Sequence, residues 1–283
     1  MGSFSILTNI ASIDAQNQLG VTQNNLQSTL QQLASGSRIN SGSDDAAGLA
    51  IANGLQANVT ALNQSVNNAN DVIGELQVAD GALSQVTSLL NRAVTLATEA
   101  ANGTVTSTQS TALDNEFSKI KTEITNIGAN TTFNGSSVFT SSTTSAFISD
   151  ASSNYSITVS VSSLSASAIA GGSTSNLSSV SLTSDNLTTQ SNATSALSDI
   201  NSAIANVASK RGEIGATVNQ LTAGINVINS QVQNLTSAES TITSANIAQD
   251  VASLSSEQIL EQTGISALAQ ANSAQQSVLK LIP

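Results

Sequence analysis

Apolar residues recur at alternating spacings of four and three from Leu55 to Ala97: Leu55, Val59, Leu62, Val66, Ala69, Ile73, Leu76, Leu83, Leu90, Val94 and Ala97, with Asp80 and Thr87 filling two places of the same stripe. That alternation keeps a narrow stripe on one side of an α-helix, facing a partner helix. It predicts one long helix from Ser43 to Ala101, which at 1.5 Å per residue would run roughly 85 to 90 Å, the length of a rod. After a break at Asn102-Gly103, Leu113, Phe117, Ile120, Ile124 and Ile127 hold the same phase. A second helix therefore folds back on the first as an antiparallel hairpin. The stripe from Leu197 through Ile200, Ile204, Val207, Arg211, Ile214, Val218, Leu221, Ile225, Ile228 and Val232 to Leu235 predicts a third rod helix, Ser191 to Ser240.

Asp80 and Arg211 each stand where the stripe is otherwise apolar, and either would be costly to bury alone. Two readings fit: partial exposure at a gap in the packing, or a mutual ion pair that fixes helix register. Between Thr131 and Gln190 the pattern turns to Ser/Thr-rich runs with period-two alternation, as in Tyr155, Ile157, Val159 and Val161. Asn134-Gly135 between Phe133 and Val138 is a hairpin signal. This centre reads as a few short strands and loops, or as a partly disordered run.

The outermost segments, Ser3 to Leu33 and Asn246 to Leu281, are helical but less regular. In the last, Leu254, Ile265, Leu268, Leu279 and Ile282 mark one face, and Leu260, Ala267, Ala271, Ala274, Val278 and Leu281 another. A helix apolar on two sides needs more than one neighbour. The ends are therefore expected to be loose in a single copy or covered by other subunits. The predicted fold class is mainly α: a long antiparallel coiled-coil bundle built from both chain ends, with a small central β-hairpin and loop region.

Composition narrows the chemistry. Of 283 residues only 9% are charged and 2% aromatic, there is no His, Cys or Trp, and close to half are Ser, Thr, Asn or Gln. Without imidazole or thiolate most catalytic plans and zinc sites fail, so no enzyme activity, cofactor or metal is expected. A net charge of −11 with so few aromatics disfavours nucleic acid. No apolar run is long enough for membrane insertion, and the first residues lack the charged and apolar regions of a cleaved signal peptide. The adjacent carboxylates Asp44 and Asp45 fit the start of a helix better than a metal site.

The segment RINSGSDDAAGLAIANGL, Arg38 to Leu55, resembles bacterial flagellin, and the resemblance continues in order along the chain. It includes ANDVIGELQVADGAL (Ala69 to Leu83), LNRAVTLATEAANGT (Leu90 to Thr104), TTFNG (Thr131 to Gly135), KRGEIGA (Lys210 to Ala216) and QILEQTGISALAQANSAQQSVLKLI (Gln258 to Ile282). The resemblance implies a subunit of the flagellar filament, a helical homopolymer for swimming. Its domains would be an N-terminal inner-tube helix (1–40), N-terminal rod helices (41–130), a short outer β and loop region (131–190), a C-terminal rod helix (191–245) and a C-terminal inner-tube helix (246–283).

It also implies export without a cleaved signal, an extracellular place in the filament, and an export chaperone, a cap protein and hook-filament junction proteins as partners. Leu254, Ile259, Leu260, Ile265, Leu268 and Leu279 would form the polymerisation and chaperone interface. Arg92, Leu96 and Glu116 match a patch read in some family members by the vertebrate innate receptor for flagellin, with Glu99 where the family pattern usually has Gln. Two rivals stand beside the filament subunit: a hook-filament junction protein of the same architecture, and a secreted coiled-coil protein that does not polymerise. A flagellin carrying a metalloprotease module is excluded, since HExxH cannot be written without His.

Overall fold

The computed structural model describes residues 9–139, 143–147, 156–161, 164–167, 169 and 180–279. Tyr155, Leu281 and Ile282 lie outside them, as do the first residues of the predicted N-terminal helix. Among the described residues five helices follow in order: α1 (Ile10–Ser35), α2 (Ala46–Ala100), α3 (Ser107–Asn130), α4 (Gln190–Thr243) and α5 (Ile247–Leu279). Between α3 and α4 lie two hairpins, β1 (Thr132–Phe133) with β2 (Ser136–Ser137), and β3 (Thr143–Phe147) with β4 (Ser156–Ser160), both antiparallel. Mainly helical with a small strand-bearing centre is therefore the observed class. Packing divides the chain into Met1–Ala57 with Asn234–Pro283, and Asn58–Gln233. These cuts fall inside α2 and α4 and not at 40/41 and 245/246, because the first turns of α2 and the last of α4 group with the terminal helices.

Within Asn58–Gln233, α2 buries Leu62, Ser65, Ala69, Val72, Leu76, Ala79, Leu83, Val86, Leu90, Ala93, Ala97 and Ala100. The 3–4 alternation is there, but every second place sits one residue before the predicted one. Val66, Ile73, Asp80, Thr87 and Val94 flank the seam, half-buried. Helix α4 shows the same displacement, burying Ala193, Ala196, Ile200, Ala203, Val207, Lys210 and Ile214, so that Arg211 lies beside the seam and Lys210 in it. Four of the six displaced places in α2 are Ser or Ala (Ser65, Ala79, Ala93 and Ala100), which admit a close helix neighbour. Val72 and Val86 fill the other two, while Val66, Ile73 and Val94 cover the edge.

Helix α3 opens with a capping box, in which the Thr106 hydroxyl takes the Gln109 N–H and the Gln109 side chain returns to the Thr106 N–H. It buries Phe117, Ile120 and Ile124. The following turn has positive φ at both Asn134 (49°) and Gly135 (79°), the backbone that a two-residue hairpin of type I′ requires. The Phe133 ring then lies against α2 at Gly74, 3.5 Å from where a β-carbon would be. In the second hairpin Ala146 and Ile157 pair directly and are both buried.

The chain crosses α3 closely at Gly128, where a β-carbon would overlap the backbone carbonyl of Leu164. Gly128→Ala is expected to destabilise Asn58–Gln233 by about 1–3 kcal/mol, since the obstacle is backbone and cannot rotate away. A chemical denaturation curve checks this: an unchanged midpoint would show that the crossing yields freely.

Much of the uncharged polar composition is consumed along the helices themselves. The hydroxyls of Thr87, Thr98, Thr111, Thr122 and Thr222 each donate to the carbonyl four residues earlier, at 2.8–2.9 Å. Among the described residues no helix is long and apolar enough to cross a membrane.

Candidate functional site

The terminal helices pair antiparallel. Asn9 caps α1 by accepting the Ser12 N–H at 3.1 Å and donates to the Ala271 carbonyl of α5 at 3.0 Å. Farther along, Leu19 lies over Gly264, its Cδ1 3.4 Å from where a β-carbon would be, and the Thr29 hydroxyl donates to Glu257 Oε1 at 3.2 Å. At the loop ends, Arg38 N–H donates to the Thr243 carbonyl (2.7 Å) and Ala245 N–H to the Gly36 carbonyl (3.1 Å), tying the two crossings together.

The seam of this pair is unusual in content. On α1 it runs Ser12, Ala15, Leu19, Thr22, Leu26, Thr29 and Leu33, of which the three hydroxyl residues are the buried ones. On α5 it runs Leu254, Glu257, Glu261, Gly264, Leu268, Ala271 and Gln275, all half-buried. Large apolar side chains point away from it instead: Ile10, Ile13, Val21 and Leu30 on α1, and Ile247, Val251, Ile259 (64% exposed), Leu260 and Ile265 (48% exposed) on α5. Fully covering a side chain of this kind is worth about 1.5–3 kcal/mol, so the pair leaves a large stabilisation unrealised.

The predicted interface set therefore divides. Ile259, Leu260 and Ile265 are exposed, as an assembly surface needs, whereas Leu254 and Leu268 face α1 within the same chain. Grouping Leu254 and Leu268 with Ile265 on one face is corrected by the repeat above: the glutamates and Gly264 that share their seam gave no apolar signal. Leu279 ends α5, and its side chain lies outside the described residues.

Asp80, Arg211, Arg92 and Glu116 sit in Asn58–Gln233. Arg211 Nε and Nη2 donate to Asp80 Oδ1 and Oδ2 at 2.7 and 3.2 Å, a two-pronged pair joining α4 to α2. The residues pair and yet stay partly open, with side chains 38% and 41% exposed. The Arg211 hydrogen bond holds the Asp80 carboxyl below its ordinary range. A depressed carboxylate pKa means that the pair stabilises above the ordinary Asp value and is lost as pH falls through the lowered one. A double-mutant cycle on Asp80 and Arg211 is expected to give a coupling of about 0.5–1 kcal/mol at neutral pH, shrinking with salt and acid. A coupling indistinguishable from zero would remove the register role. Lys210, which sequence reasoning missed, is buried and donates to Glu213 Oε2 at 2.7 Å. Only its place one residue before Arg211 could have flagged it.

Arg92 Nε donates to Glu116 Oε1 at 2.7 Å, joining α2 to α3 on an exposed surface, and this hydrogen bond lowers the Glu116 pKa. Leu96, grouped with them from the resemblance, is 1% exposed and faces the core. The three residues therefore do not form one exposed patch. Asp44 Oδ2 accepts the N–H groups of Asn40 and Ser41 at 2.9 and 2.8 Å, and Asp45 Oδ1 accepts that of Gly48 at 2.8 Å, so the adjacent carboxylates serve loop and helix start. Among the described residues no three acidic groups gather into a metal site.

Helices drawn from both chain ends around a short strand-bearing centre define the protein as a helical frame with a central insertion. The N-terminal helical region of bacterial flagellin matches residues 6–144, and the C-terminal helical region matches residues 197–282. The chain belongs to the bacterial flagellin family. Among similar proteins, the B-type flagellin of Pseudomonas aeruginosa is 43% identical over 133 residues, 47% of this chain and 27% of that protein. Polar flagellin F of Vibrio parahaemolyticus is 38% identical over 133 residues, 47% of this chain and 35% of that one. The chain thus covers well under half the length of either relative. A crystal structure of Bacillus cereus flagellin, 28% identical, aligns with 61% of this chain and 94% of its own at a TM-score of 0.48.

Proposed function

We propose that the chain is a structural subunit that polymerises into the bacterial flagellar filament and serves swimming motility. The observation that carries this reading is the terminal helix pair, which shields Ser12, Thr22 and Thr29 while presenting Ile259, Leu260 and Ile265 to solvent. Such a pair gains by contact with further copies. Contacts between different faces of identical subunits that do not close into a ring produce a helical polymer. Membership in the flagellin family supports the same reading and a structural, not an enzymatic, role.

The filament lies outside the cell, so this reading carries export through the flagellar secretion route, with an export chaperone, a cap protein and hook-filament junction proteins as partners. Exposed apolar residues of α5 would serve chaperone and polymer at different times. Electron microscopy of the purified protein at high concentration tests the proposal. Long filaments grown from this protein alone are the expected result and exclude a junction role. A stable monomer that stays dispersed and adds to no filament seed would overturn it.

A further inference from the structure

Residues 180–189 return from the central region to α4 as a strap fastened largely from α3. Leu182 and Leu187 are fully buried and anchor it. The Leu182 N–H donates to the Ala166 carbonyl at 2.7 Å. The Leu187 N–H donates to Asp114 Oδ1 of α3 at 2.8 Å, and Lys121 Nζ, also on α3, donates to the Asp185 carbonyl at 2.7 Å. Lys121 is itself steadied over the Phe117 ring, 4.9 Å from its centre. Amid these contacts the Asp185 side chain is the misfit: its Oδ2 is sealed from water and accepts no hydrogen bond.

Among the described residues, the charged groups near Asp185 come from two helices. Helix α3 brings Lys121, which is spent on the backbone carbonyl, and Asp114, which is spent on the Leu187 N–H. Helix α4 brings Asp199, a like charge. The strap has no other charged residue of its own. Asp185 as a whole is half-buried, but ionising it puts part of the negative charge on an oxygen that water does not reach and no donor meets, and a second carboxylate repels it.

We propose that residues 180–189 are a pH-sensitive clasp, fastened when Asp185 is protonated and loosened when Asp185 is charged beside Asp199. Burial first, and Asp199 second, raise the Asp185 carboxyl above its ordinary range, with Lys121 partly offsetting them. For an acid with a raised pKa in the docked state, the released strap gives up its proton first as pH climbs. Docking is thus at full strength below the ordinary Asp value and weakens as pH rises through the raised one. Each unit of upward shift corresponds to about a tenfold loss in the docking constant. The direction is opposite to that of Asp80 and Glu116, whose lowered values cost stability in acid. Acid would therefore tighten the strap while relaxing the exposed ion pairs.

Hydrogen exchange on the full chain, corrected for the intrinsic pH dependence of amide exchange, tests the clasp between about pH 3 and pH 7, the span in which carboxylates titrate. In the wild type the opening constant read at the Leu182 and Leu187 amides should rise severalfold with pH. Amides deep in α2 and α4 should not follow it. Asp185→Asn should hold the strap closed and abolish the rise, and Asp199→Asn should reduce it in part. Strap protection independent of pH in the wild type, or the same rise in Asp185→Asn, would overturn the proposal. If Asp185→Asn instead opens the strap at every pH, Asp199→Asn decides: a reduced rise upholds the clasp and an unchanged rise refutes it.

Discussion

Ile265→Asp is expected to abolish filament growth while leaving the helices of Asn58–Gln233 folded. Ile265 is 48% exposed and belongs to no seam within the chain, so in a free subunit the new carboxylate stands in water. In a polymer that covers this face the same carboxylate would be desolvated without a partner, at a cost of several kcal/mol for each subunit added. Repeated at every contact, that cost stops growth. Sedimentation of polymer, with far-ultraviolet circular dichroism of the free subunit, reads both halves of the prediction. Pelleted filaments at wild-type yield would show that α5 turns another face to its neighbours. Leu268→Asp is a poorer probe, because Leu268 is already half-buried toward α1 and its loss disturbs the pair before any assembly begins.

Phe117→Ala should be the most damaging truncation within Asn58–Gln233. The ring is fully buried on α3 and carries the Lys121 ammonium above it. Removing a buried aromatic forfeits its transfer energy and leaves a cavity, together about 3–5 kcal/mol. The Lys121 hold on the Asp185 carbonyl would also lose its support. Val227→Ala, by contrast, changes an exposed side chain of α4 and should shift stability by about 0.5 kcal/mol or less. Denaturant midpoints measured at equal slope separate the two. A Phe117→Ala midpoint close to that of Val227→Ala would mean that α3 is not packed as described.

These cases also show what the amino-acid pattern could and could not reveal. Leu62, Leu76, Leu83 and Leu90 marked their face of α2 because they are large and evenly spaced. In the other half of the seam, Ser65, Ala79, Ala93 and Ala100 are residue types so abundant here that they carry no signal, and Val72 stands directly beside the equally apolar Ile73, so hydrophobicity alone does not pick the seam position. Asp80 and Arg211 were legible as a pair because charges are so few, even though both sit beside the seam. The Asn134-Gly135 turn was legible because its chemistry is local. Contacts of long sequence separation were not: nothing in the residues around Gly128 announces the Leu164 carbonyl, nor in those around Asp114 the Leu187 amide. In the terminal pair the pattern misled, because hydroxyl residues lie inside and isoleucines outside, the reverse of a self-sufficient helix pair.

A threonine whose hydroxyl hydrogen is committed to its own helix, as at Thr98, Thr111, Thr122 and Thr222, turns a methyl group outward. Water can leave such a surface without stranding a donor, and no counterion must be stripped from it. Positions that look hydrophilic residue by residue are thus cheaper to cover than a hydroxyl with an uncommitted hydrogen would be, and a neighbouring surface has to match their shape more than their donors.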